Sequence, residues 1–218
     1  VVTKATAKYT KKSKKKVVTS KITTTVQTTT TQQVSIANET AVSTTSSGTS
    51  AAQATAAASS SQNQSKYEAN VASVAGKMDN RVIAAYQQLG FKLVVDPSVN
   101  YSGYFDARSR SITMKQIDDS VYHELGHFLA FIAGNVDKTA SFQSIFAAEK
   151  ANVTAFNKAY VTQNASEYFA ESVKDYILNN ASLKSSRPQT YAAVQNALNQ
   201  ITDAQIAKIQ KIYGAFWN

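Results

Sequence analysis

From residue 67 onward, the spacing of apolar positions separates the chain into elements. Over 67–89, Val71, Val74, Met78, Val82, Ile83 and Tyr86 recur at helical spacing and Gly90 follows. This pattern predicts one amphipathic helix stopped by glycine. Phe91-Lys92-Leu93-Val94-Val95 is short and rich in β-formers, and ends at Asp96-Pro97, so it predicts a strand. A loop with Asn100, Ser102 and Gly103 comes next. Tyr104–Ala107 and Ser111–Lys115 then predict a hairpin turning near Arg108-Ser109-Arg110. Asp118, Asp119 and Ser120 are helix-start residues, and the helix they open should run to about Ala133, before Gly134. Further helices are predicted at 141–152, 165–179, 188–200 and 203–214. The fold class is α+β, with a small mixed sheet, one largely buried helix and a C-terminal helical part, in a domain over 67–218.

Residues 1–66 differ in kind. About half are Ser, Thr or Gln, Tyr9 is the only aromatic, and Lys11, Lys12, Lys14, Lys15 and Lys16 form a basic cluster. Such a segment buries too little apolar area to offset its ordering entropy, so it predicts a disordered tail or linker. Val17-Val18-Thr19 and Ile22…Val26 carry enough alternation for a transient strand at most. The tail also holds the charge. Nine lysines against Glu39 give it +8, whereas 67–218 carries 14 Lys+Arg against 13 Asp+Glu. The domain is therefore nearly neutral, and the net charge of +9 does not indicate specific nucleic-acid binding. The interleaved aromatics of single-strand binders are missing. The lysine cluster suits at most a weak, salt-dependent contact with anionic cell-wall polymers.

The chain has no cysteine, which excludes disulfides, thiolate catalysis and Cys-based metal sites. No apolar run approaches the roughly 20 residues of a membrane helix. A Ser/Thr/Lys-rich tail on a cysteine-free domain suits a bacterial protein that is secreted, extracellular or cell-wall associated. The sequence starts at Val1-Val2 with no initiator Met and no apolar signal core, so an export signal, if one existed, is expected to have been removed. A monomer is expected.

The predicted helix at 120–133 contains His123-Glu124-Leu125-Gly126-His127, an H-E-x-x-H pattern. Residues i and i+4 of a helix stack on one face, so two imidazoles there can reach one Zn²⁺. Glu124 projects beside them, where it can take a proton from a water on the metal. Both histidines of the chain sit in this motif. Val121, Leu125, Phe128, Leu129, Phe131 and Ile132 make the helix mostly buried, and polar groups on a buried helix need partners. Gly126, costly in mid-helix, predicts close approach of another element such as the sheet edge.

A catalytic zinc takes a third protein ligand and keeps one open position. With no further His and no Cys, that ligand must be a carboxylate. Glu167 and Glu171 share a helix face in Glu167-Tyr168-Phe169-Ala170-Glu171. One of them could bind the metal while the other fixes a histidine ring. Asn164-x-x-Glu167 also fits a capping box.

The two motifs, His123-Glu124-Leu125-Gly126-His127 and Glu167-Tyr168-Phe169-Ala170-Glu171, together with Tyr160 seven residues before the first Glu, resemble the catalytic domain of anthrax toxin lethal factor and the secreted Pro-Pro endopeptidases of the same clan. The resemblance covers about 67–218 and implies a zincin-type, gluzincin-like metallopeptidase with one Zn²⁺. By it, His123, His127 and Glu167 bind zinc, Glu124 is the general base, Tyr160 donates to the oxyanion and Glu171 supports the ligands. The implied partner is a peptide or protein substrate, with proline-containing segments in view. The Pro-Pro endopeptidases carry a Trp beside the groove. The sole Trp here is Trp217, so Tyr101, Tyr104 or Phe105 is expected in its place. An extended substrate is expected to pair with Ser111–Lys115 as an edge strand. The competing reading is a non-catalytic zinc-containing surface-binding module attached through the basic tail.

Overall fold

The computed structural model describes residues 65–217. The tail predicted over 1–66 lies outside the described residues except for Ser65 and Lys66. Four strands form one mixed sheet: β1 (Tyr67–Ala69), β2 (Lys92–Val95), β3 (Gly103–Asp106) and β4 (Ser111–Met114), in the order β1-β2-β4-β3. β1 runs antiparallel to β2, β2 parallel to β4, and β3 antiparallel to β4 with Phe105 opposite Ile112. Alternation drives Leu93, Val95, Ile112 and Met114 into the core.

Two expectations need correcting here. Ser111–Lys115 is not an edge: β4 lies between β2 and β3, and β3, with β1 on the far side, is an edge among the described residues. The cause is the parallel β2–β4 pairing, a long-range contact that no local pattern records. The single helix expected over 67–89 is instead β1, α1 (Val71–Val74) and α2 (Asn80–Gln88). Asn70 caps α1 by accepting from the Ser73 amide, and Asp79 caps α2 by accepting from the Arg81 amide. Both short helices bury their apolar positions in the same core, so the periodicity runs on across the break.

α3 (Ser120–Ile132) is the buried helix. Asp118 accepts from the Ser120 amide at its start, and Gly134, at φ +84°, turns the chain away after its end. Its lower half packs Phe128 and Phe131 against Phe91 and Phe105, with ring centroids 4.9–6.3 Å apart. Trp217 closes this cluster. Its ring lies edge-on to Phe91, its Nε1–H donates to the Ala107 carbonyl at 2.8 Å, and Arg110 stands over its face. It pins the C-terminus.

After a 3-10 turn at Val136–Lys138 come α4 (Ala140–Glu149), α5 (Lys158–Val161), α6 (Ala165–Leu178), α7 (Asn180–Ser186), α8 (Pro188–Asn199) and α9 (Asp203–Tyr213). α5 and α7 fall outside the predicted helices. α6 crosses α3 closely: a Cβ at Gly126 would lie 2.7 Å from the Ala170 Cα and carbonyl oxygen. The close approach expected of Gly126 is therefore to helix α6 rather than to the sheet.

The far side of α6 is braced by polar groups. The buried Glu149 carboxylate accepts from the Gln189 and Thr190 amides, at 3.0 and 2.9 Å, and so caps α8. The Thr190 hydroxyl lies 2.7 Å from the Tyr168 hydroxyl. Arg187 donates to Ser172 at 3.0 Å and pairs with Asp175, both on α6. No helix among the described residues is long and apolar enough to cross a membrane.

Candidate metal centre and active site

α3 presents His123, Glu124 and His127, and α6 presents Glu167 and Glu171 from across the Gly126 contact. One ligand atom each from His123, His127 and Glu167 fall within 4.8 Å of one another. Glu167 Oε2 is 3.1 Å from His123 Nε2 and 3.6 Å from His127 Nε2. Donors on a tetrahedral zinc with bonds of about 2.0–2.1 Å stand about 3.3 Å from one another. Two imidazole nitrogens and a carboxylate oxygen at these separations fit a single divalent ion.

The ring orientations suit that role. His123 Nδ1 lies 2.9 Å from Glu171 Oε2. With Nδ1–H donating there, the Nε2 lone pair is free to face the donor cluster. Lys174 donates to the other Glu171 oxygen at 3.5 Å. His127 Nδ1 has the Ser166 hydroxyl at 3.5 Å, a looser support. Asn164 Oδ1 accepts from the Ser166 and Glu167 amides, each at 2.9 Å, so it caps α6. The Glu167 carboxylate turns to the histidines instead of back to the cap, leaving only half of the capping box.

Charges in the site hold one another. Burial disfavours the His123 cation, but hydrogen bonds to Glu167 and Glu171 outweigh it and raise the ring to about 9. Burial likewise opposes ionising Glu167, yet His123 and His127 hold it well below the usual carboxylate range. For Glu171, the His123 bond and the Lys174 charge overcome burial in the same way. Glu124 goes the other way: burial raises it, and the two histidines only partly oppose the shift. A carboxylate so placed is a better proton acceptor than an exposed one.

A cleft of about 300 Å³ opens over these groups, lined in part by Gly103, Tyr104, Glu124, His127, Tyr160 and Glu167. Gly103 sits on the edge strand, where a Cβ would fall 2.6 Å from Glu124 Oε1. The strand passes directly over the Glu124 carboxylate, and only glycine leaves it room. Tyr160 belongs to one-turn α5 and is half exposed, with its ring centroid 6.4 Å from that of His123. Burial and the Glu167 charge push its phenol up, so it keeps its proton.

Residues 93–197 match the family model described as anthrax toxin lethal factor, N- and C-terminal domain. Over these residues the chain is similar to anthrax toxin lethal factor. A Pro-Pro endopeptidase from Clostridioides difficile (strain 630) is 41% identical over 78 residues, covering 34% of this chain and 34% of that protein. The chain thus spans about a third of that relative's length. All six predicted site residues fall within residues 93–197; Glu124, His127, Tyr160 and Glu167 line the cleft, and His123 joins Glu167 to Glu171 through its two ring nitrogens.

Of the aromatics expected beside the groove, Tyr104 and Phe105 line the cleft. Tyr101 does not line it but leans on Tyr104 at 5.8 Å. Sequence reasoning passed over Ser166 and the contact of Gly103 with Glu124. A serine directly before Glu167 was the only local signal for the first, and nothing local marked the second.

Proposed function

We propose that the lethal factor-like domain is a zinc-dependent endopeptidase acting on extended peptide segments. The observation that carries this is the convergence of His123, His127 and Glu167 donor atoms beside the buried Glu124 carboxylate, on one open cleft. A purely structural metal site has no use for a base there, which argues against the non-catalytic binding module.

The substrate adds as a strand to β3, whose outer edge is unpaired among the described residues. Main-chain hydrogen bonds along β3 orient it, and Gly103 lets β3 itself lie close to Glu124. His123, His127 and Glu167 would hold the zinc, which when bound would make a water more acidic and polarise the scissile carbonyl. Glu124 takes the water proton at its carboxylate and delivers it to the leaving amine. The Tyr160 hydroxyl donates to the oxygen of the scissile carbonyl as negative charge develops there. Glu171 holds the His123 ring through Nδ1. The Ser/Thr/Lys-rich, cysteine-free composition supports action outside the cell.

Digestion of a peptide library with and without chelator, read by mass spectrometry, tests the proposal. The relative's name makes proline-containing peptides the first to include. Cleavage should be abolished by chelator and restored by zinc. Glu124→Ala should keep the metal and lose cleavage. An active, metal-loaded Glu124→Ala protein would remove Glu124 from its role.

A further inference from the structure

The cleft holds one carboxylate that hydrolysis does not use. Besides the groups around the metal, Ala130, Phe131, Asp137 and Lys138 line it. Asp137 lies in the 3-10 turn after α3 and is only 4% exposed. The turn is held firmly. Asn135 enters it at φ +59° with its amide bonded to the Ala130 carbonyl at 2.8 Å, and Gln143 donates to the Asp137 carbonyl at 3.0 Å.

No hydrogen bond or ion pair within the protein satisfies the Asp137 carboxylate among the described residues. A buried carboxylate without a donor is costly, and this one is not sealed in. Sealed side-chain atoms lacking a partner are confined, among the described residues, to the Tyr86 hydroxyl and Arg187 Nε. Asp137 lines the cleft, so a donor entering there is open to its carboxylate. Neighbouring Lys138 is exposed and forms no pair with it.

We infer that Asp137 is a recognition carboxylate for a lysine or arginine side chain of the bound peptide. Such a side chain matches the cleft wall, because its methylenes can lie along Ala130 and Phe131 while its charged head reaches the carboxylate. The inference rests on the peptidase reading and narrows its substrate class.

The test uses the zinc-loaded 218-residue chain and a peptide library in which each position in turn carries lysine or its uncharged isostere norleucine. At one position flanking the cut, kcat/KM should favour lysine by about 10–100-fold, the range of a charge-assisted hydrogen bond. Asp137→Asn should bring that ratio close to one, and Asp137→Lys should turn the preference to glutamate. Circular dichroism and metal content verify that the variants are folded and loaded. The wild-type ratio decides the matter even if a variant does not fold. Cleavage with no basic preference overturns the inference alone. So does a preference for acidic residues, which would mark Lys138 as the reader, or a preference unchanged in folded Asp137→Asn. A zinc-loaded chain that cuts nothing overturns the peptidase reading, and the inference with it.

Discussion

Gly126→Ala adds one methyl group between α3 and α6, and its consequences can be worked out from the contact. The new Cβ would lie 2.7 Å from the Ala170 Cα and carbonyl oxygen, and 3.1 Å from the carbonyl carbon. These are backbone atoms of a packed helix, so no side chain can swing aside. Ordinary contact begins at 3.4 Å, and the helices must part by about 0.7 Å. Overpacking of this kind costs about 1–3 kcal/mol, with the upper end expected against backbone. Alanine returns about 1 kcal/mol through helix propensity. A net loss of about 2 kcal/mol should lower the Tm by about 4–8 °C in a domain of this size. The proposed metal centre would suffer separately, because α3 carries both histidines and α6 carries Glu167. A 0.7 Å separation exceeds the ±0.2 Å or so that metal–ligand bonds tolerate. Zinc affinity should fall by at least about tenfold, in line with other losses of ligand placement. Thermal melts of chelated and zinc-loaded protein, with a competition titration against a chelator of known affinity, measure both effects. An alanine variant that melts at or above the wild type and binds zinc equally well would refute the reasoning.

Glu171→Gln replaces the charged acceptor at His123 Nδ1 with a neutral one, and zinc affinity should fall about 10–100-fold while the fold is kept. Unchanged affinity in the same chelator competition would count against its role. Tyr160→Phe should lower kcat by about 10²–10³ with metal content intact, and activity within twofold of wild type would exclude it as the oxyanion donor. In the metal-free protein His123 titrates at about 9 instead of near 6.5. Since the folded pKa is the higher one, this ring stabilises the fold fully below about 6.5, and the contribution is lost as pH rises through 9. The Tm of chelated protein should therefore decline over that window, and apparent zinc affinity should rise by up to about tenfold per pH unit below 9 as the proton is displaced. A melting temperature flat with pH, or zinc binding without proton release, would contradict the assignment.

Much of this architecture is legible in the chain. The apolar repeat marks α3 and α6, and the i, i+4 spacing puts His123 with His127, and Glu167 with Glu171, on common faces. What could not be read depends on contacts between distant residues. β1 is three residues long and exists by pairing with β2, so its local pattern disappears into the helical periodicity beside it. α7 is mostly polar, with Leu183 its one buried residue, and exists by packing on its neighbours. The edge position of β3 follows from the parallel insertion of β4. Asp137 sits in a turn with no motif, and its burial comes from how that turn folds back on α3.

The glycine at the start of β3 has a consequence for folding fidelity. Side chains alternate along a strand, so Gly103 and Phe105 face α3 while Tyr104 faces away. A slip of one residue in the pairing with β4 would swing a phenol ring into the space now occupied by the Glu124 carboxylate, and would expel Phe105 from the aromatic cluster. The cleft's shape therefore depends on the register of β3 against β4. A chain closed in that register would crowd the Glu124 carboxylate and obstruct the cleft beside it.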